Sequence, residues 1–160
     1  MRARAGRFFI AHFKYATLDS MEIKIKKLHP DAIVPSYAYA TDAGMDLFSA
    51  EDVTIPAGST IAVATGIAME IPEGYAGLIW DKSGLAINHG LKTFGGVIDA
   101  GYRGEVKVGM RNFNSHEHII KAGNKVAQMV IQKIESPRIV LADELSDTPR
   151  GDGGFGSTGK

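Results

Sequence analysis

Between residues 21 and 134 glycine and proline cut the chain into short β-branched runs. No stretch there carries the 3.6-residue apolar repeat of a long amphipathic helix. This punctuation constrains the fold more than any other feature, because short runs between turns must pair with neighbours to satisfy their backbone. The runs are residues 22–28, 53–55, 60–65, 66–71, 76–80, 105–113 and 126–134. In the first, Ile23 and Ile25 fall on one side and Lys24 and Lys26 on the other. Turn residues stand between the runs at 56–58, 72–74, 95–96, 101–104 and 123–124. Such spacing predicts an all-β fold, a sandwich or a barrel. One short helical turn is expected at 83–89, with Ser83 as its cap. No internal repeat is visible.

At 160 residues the chain suits one domain. A domain of this size buries roughly 70% of its unfolded surface, enough for a core without covalent staples. Eighteen basic side chains balance eighteen acidic ones, which argues against a general nucleic-acid binder. There is no cysteine, so thiolate zinc sites, disulfides and a cysteine nucleophile are excluded. No apolar run approaches the ~20 residues of a membrane-spanning helix, and no membrane partner is expected.

The two ends differ from the middle. Arg2, Arg4, Arg7 and Lys14 precede the first acid, Asp19. Residues 1–20 are read as an extension outside the fold and the protein as cytoplasmic, with a mitochondrial presequence as the alternative. Residues 150–160 hold five glycines and one apolar side chain, Phe155, a composition that predicts a flexible tail. Gly151, Gly153 and Gly156 fit G-x-G-x-x-G, and residues 154–160 fit most of a Walker A loop. Both patterns need a strand before and a helix after, and here the sequence stops at Lys160, so neither fold is expected. Their physical content remains: glycines expose backbone N–H groups to phosphate, and Phe155 offers a face for a base. By composition alone, a nucleotide lid and a disordered tail stay open.

Arg150-Gly-Asp-Gly-Gly-Phe-Gly-Ser-Thr-Gly159 resembles the fifth motif of the trimeric deoxyuridine triphosphatase (dUTPase) family. Four further stretches resemble the other motifs in order: Ala43-Gly-Met-Asp-Leu47, Trp80-Asp-Lys-Ser-Gly-Leu-Ala86, Gly96-Val-Ile-Asp-Ala-Gly-Tyr-Arg-Gly104 and Gly123-Asn-Lys-Val-Ala-Gln128. The resemblance spans about residues 21–160. It implies a jelly-roll-like β-barrel over residues 21–148 and a lid motif over 149–160. It also implies a homotrimer with shared active sites, and hydrolysis of dUTP to dUMP and pyrophosphate with Mg²⁺. That reaction limits uracil in DNA and supplies dUMP for thymidylate.

The resemblance makes Asp99 the carboxylate that activates water and Tyr102 the ring that packs on deoxyribose. Thr93, Gly96, Val97 and Ile98 fall in the hairpin that reads uracil. Lys82, Ser83 and Gly84 form the phosphate run, where lysine replaces the family's usual arginine and Trp80-Asp81 is atypical. Gln128, Arg150 and Thr158 would contact phosphates, with Gly156 and Ser157 in the same lid and Phe155 over the uracil. Lys107 would reach the site, and Asp46 would act on the metal through water. Read alone, Asp99 is equally a turn aspartate, Tyr102 a strand-edge tyrosine, Lys82 a surface lysine and Gln128 an outward-facing strand residue. His116-Glu117-His118 lacks the helical spacing of a zinc motif, and the histidines are assigned no chemistry. Two other readings are a dCTP deaminase-like enzyme of the same fold and a non-catalytic nucleotide-binding protein.

Overall fold

The computed structural model describes residues 21–154, and residues 1–20 and 155–160 lie outside that description. In chain order the elements are β1 Lys24–Lys27, β2 Met45–Phe48, β3 Val53–Ile55, β4 Thr60–Ala64, β5 Ile67–Glu70, β6 Tyr75–Trp80, α1 Ser83–His89, β7 Leu91–Phe94, β8 Val97–Asp99, β9 Lys107–Asn112, β10 His118–Ile120 and β11 Lys125–Lys133. All seven strand pairings are antiparallel. A four-stranded sheet runs β2-β11-β6-β8 and a three-stranded sheet runs β4-β9-β7, with β1-β5 and β10-β3 as two-stranded ribbons. The last strand therefore returns to lie between β2 and β6, an all-β, jelly-roll-like arrangement.

Alternation decides which residues go inside. Along β9, Val108, Met110 and Asn112 are buried, while Lys107 is exposed and Gly109 and Arg111 are partly covered. Val63, Ile67, Ile71, Val106, Val126 and Met129 complete the centre of the core, and Ile23 and Ile25 pack against it from the β1 region. Gly77 lets β6 approach closely, since a Cβ there would lie 2.9 Å from both Ile71 Cδ1 and Met129 Sδ. The buried Asn112 amide donates to the Ile55 and His116 carbonyls at 3.1 and 2.7 Å, and its oxygen accepts the Asn114 N–H at 2.9 Å. Those bonds remove the cost of an unpaired buried amide.

The helix occupies the expected 83–89, but Ser83 is not its cap. Lys82 holds the capping position with extended backbone, and no side chain caps the first turn. Gly90 closes the helix in the left-handed conformation, its N–H bonded to the Leu85 carbonyl. Beyond β11 the chain to residue 152 is exposed and forms no strand within this copy.

Candidate active site

Two clusters of the expected residues form, at different corners of the molecule. The first surrounds Asp99. Gly95, at φ 64°, and Gly96 turn the chain from β7 into β8. A Cβ at Gly96 would lie 2.6 Å from the Ile79 carbonyl oxygen, so only glycine lets the hairpin seat against β6. The strands on either side belong to different sheets and each is an edge, so both have one backbone side without a sheet partner. β8 buries Ile98 and exposes Val97 and Asp99. The chain then turns, with the Tyr102 N–H bonded to the Asp99 carbonyl at 3.1 Å and the Tyr102 hydroxyl donating to the Glu105 carbonyl at 3.0 Å. Val97, Ile98, Asp99, Tyr102, Glu105 and Lys107 line one pocket of about 220 Å³. Lys107 Nζ stands 3.5 Å from Glu105 Oε2.

The second cluster surrounds Asp46. β2 is buried on both faces, so Asp46 is covered although it points away from Met45 and Leu47. Lys82 Nζ bonds Asp46 Oδ1, and Lys125 Nζ bonds Oδ2 at 2.7 Å. Burial would raise the Asp46 carboxyl, but hydrogen bonds from Lys125 and Lys82 outweigh it and hold the group below the usual carboxylate range. Two ammonium groups around one carboxylate leave one positive charge in excess. Ser83 and Gly84 follow, both exposed. Gln128, directly opposite Asp46 in the β11–β2 register, donates from Nε2 to the Asp81 carbonyl at 2.9 Å.

The clusters do not meet within one copy. Asp46, Gln128 and Trp80 form one row across β2, β11 and β6, whereas Asp99 lies opposite Ala76. Four residues of β6 separate those rows, roughly 13 Å at strand spacing, and three strand-to-strand steps add roughly 14 Å across the sheet. Arg150 joins neither cluster, its Nε donating to the Gly153 carbonyl at 2.8 Å within its own turn. Phe155, Gly156, Ser157 and Thr158 lie outside the described residues.

Three features were not read from the sequence. Glu105 lines the Asp99 pocket and also accepts the Gly66 N–H at 2.9 Å. Lys125 shares Asp46 with Lys82. The Asp81 carboxylate turns toward Lys92 and Thr93. Both Asp46 oxygens are held by lysines, which leaves neither free to ligate a metal directly. Among the described residues no group of three His, Asp or Glu side chains could hold a metal ion. No helix among them is long and apolar enough to cross a membrane.

The fold and the clustered residues place the chain among β-proteins with solved nucleotide complexes. The Staphylococcus bacteriophage 80alpha dUTPase with dUPNHPP superposes at a TM-score of 0.78 and 31% identity, covering 87% of this chain and 99% of that one. A mutant dUTPase from phage phi11 of S. aureus, described with coordination of a structural Mg(II) ion, superposes at 0.74 and 28% identity over 79% of this chain and 99% of that one. By sequence, the deoxyuridine 5'-triphosphate nucleotidohydrolase of Thermobifida fusca is 47% identical over 143 residues, 88% of this chain and 80% of the relative. That of Clostridium kluyveri is 48% identical over 141 residues, 87% and 99% of the two chains. The dUTPase family model matches residues 30–159, and the chain belongs to the dUTPase family.

Proposed function

We propose that this chain is a dUTP diphosphatase, converting dUTP to dUMP and pyrophosphate. The observation that carries the reading is the pocket in which Asp99, Tyr102 and Lys107 converge beside the open edge of β8. Asp99 orients a water and accepts its proton as the water oxygen bonds the α-phosphorus. The bond from that phosphorus to the bridging oxygen breaks, and pyrophosphate leaves with the electron pair. Tyr102 packs on the deoxyribose and leaves no room for a 2′-hydroxyl. Uracil presents acceptor, donor, acceptor, and backbone groups of residues 96–98 in the hairpin answer it. Cytosine would set donor against donor at a cost of about 1–3 kcal/mol.

Lys82, Ser83, Gly84 and Gln128 receive the phosphates in this proposal, with Lys125 sharing the charge. Arg150, Phe155, Gly156, Ser157 and Thr158 close over the nucleotide and exclude water, residues 149–160 acting as the lid. Because the two clusters lie far apart in one copy, the complete site is composite: Asp99 of one copy works with the phosphate run of another in a homotrimer. The chain's own donor set does not fit a protein-held Mg²⁺, so the proposal leaves Mg²⁺ to the oxygens of the triphosphate.

The test is pyrophosphate release from dUTP, dTTP, dCTP and UTP by wild type and Asp99→Asn. Release from dUTP alone is expected, reduced at least about 100-fold in the variant, the usual worth of a general base. Tight dUTP binding without turnover would replace the reading with a nucleotide sensor, and ammonia from dCTP would replace it with a deaminase.

A further inference from the structure

We propose that Asp81 is a positioning residue that ties the phosphate run to the base-reading hairpin and thereby sets affinity and selectivity for the nucleotide base. The proposal rests on the dUTP reading above and deepens it. Asp81 is the single residue between Trp80, the end of β6, and Lys82, which leads into α1. Its two halves face the phosphate run and the hairpin of one copy, which in the composite trimer serve two neighbouring sites. The carbonyl accepts the Gln128 side-chain N–H at 2.9 Å, on the phosphate side. The carboxylate turns the other way: Oδ1 accepts both the Thr93 backbone N–H and the Thr93 hydroxyl at 2.7 Å, and Oδ2 accepts Lys92 Nζ at 2.7 Å.

Thr93 lies in an edge strand, so no neighbouring strand among the described residues fixes the side that Asp81 takes. A carboxylate that accepts the backbone N–H and the hydroxyl of the same residue fixes both the position and the rotation of that residue. The hairpin that follows, Phe94 to Val97, inherits this placement. The arrangement also changes what Thr93 itself can do. Its N–H is already used, so Thr93 serves the hairpin by anchoring it, and base recognition falls to Gly96, Val97 and Ile98. The carboxylate side chain is about one-fifth exposed, at 22%, which keeps these charge-assisted bonds partly screened from water. The same residue thus holds Gln128 and Lys82, which serve one composite site, in fixed relation to the hairpin, which reads the base of its neighbour.

Steady-state kinetics of the full chain on dUTP and dCTP test this, comparing wild type with Asp81→Ala, Asp81→Asn and Thr93→Val. Asp81→Ala is expected to raise KM for dUTP about tenfold, the scale of one lost hydrogen bond to a charged group, with kcat changed less than about twofold. The ratio of kcat/KM between dUTP and dCTP should narrow in the same variant. Asp81→Asn keeps an oxygen for Thr93 and should restore KM to within about threefold of wild type, since only the pairing with exposed Lys92 weakens. Thr93→Val, which loses the hydroxyl alone, should move KM and selectivity in the same direction by a smaller factor. A purely structural role for Asp81 would lower the melting temperature of Asp81→Ala and leave KM and selectivity of the folded enzyme unchanged, and that result overturns the proposal. Where Asp81→Ala does not fold, wild-type KM and selectivity in Thr93→Val overturn it equally. Absence of dUTP turnover in the wild type is a separate failure, that of the hydrolase reading, and removes the proposal with it.

Discussion

Tyr102 stands where it does because residue 104 has no side chain. A Cβ at Gly104 would overlap the Tyr102 hydroxyl and ring, and the backbone there is in an ordinary conformation, so the constraint is steric alone. Gly104→Ala should swing the ring out of the Asp99 pocket while leaving the strands intact. The expected result is an approximately tenfold loss of kcat/KM on dUTP, the order of effect that sub-ångström misplacement brings, together with weaker rejection of UTP. Kinetics on the two nucleotides read both numbers, and an unchanged dUTP to UTP ratio would remove Tyr102 from sugar recognition. The sequence brought Asp99 and Tyr102 forward because both sit inside the motif-like stretch 96–104, and Lys107 only by its place three residues beyond it. It did not reveal the partners of Asp46 or Asp81. Those partners are Lys82 at the start of α1 and Lys125 of β11 for Asp46, and Lys92 and Thr93 of β7 for Asp81, and no local spacing encodes which lysine reaches which carboxylate.

At the scale of elements, β2 and β10 escaped sequence reading for different reasons. β2 is buried at Met45, Asp46 and Leu47, so it shows no alternation, and β10 is only three residues long. β7 and β8 were anticipated only as a base-reading hairpin, because their split between two sheets is a tertiary fact. The long β9 and β11 carry enough alternating residues to be read directly. The end of α1 adds a property that composition hides. His89, its last residue, lies with its ring centroid 5.3 Å from that of His118 at the start of β10. Burial first, then the neighbouring His89 and His116, lower the His118 pKa in the folded chain. The unfolded chain then binds the proton more readily, so the stability this group contributes is complete above its unfolded value of about 6.5. That stability is lost as pH falls through the lowered folded value. Urea denaturation across this range should show the decline, and His118→Gln should flatten it. Equal slopes in the two proteins would refute the coupling of this pair to stability.

For the whole molecule, the segment after β11 shows what one copy leaves unfinished. Ile139, Leu141 and Leu145 are 96, 97 and 90% exposed, and no element among the described residues of the same copy covers them. Burying one such side chain is worth about 1.5–3 kcal/mol, so leaving three in water is a substantial cost unless a neighbouring chain covers them. The distance between the Asp99 and Asp46 clusters makes the same demand from the side of chemistry. The proposed homotrimer, with each arm laid on a neighbour, would answer both by burying the apolar residues and joining the two halves of the site. Two truncations separate assembly from closure. Ending the chain after Thr148 keeps the arm and removes the proposed lid, so trimer mass should persist while dUTP turnover falls at least about 100-fold, on the scale of assembling a water-excluding site. Ending it after Ile134 removes the arm as well, and light scattering should then report monomers. Full turnover in the first variant would end the lid argument. A trimer of unchanged stability in the second would show that the arm does not hold the copies together, leaving the strand faces to do so.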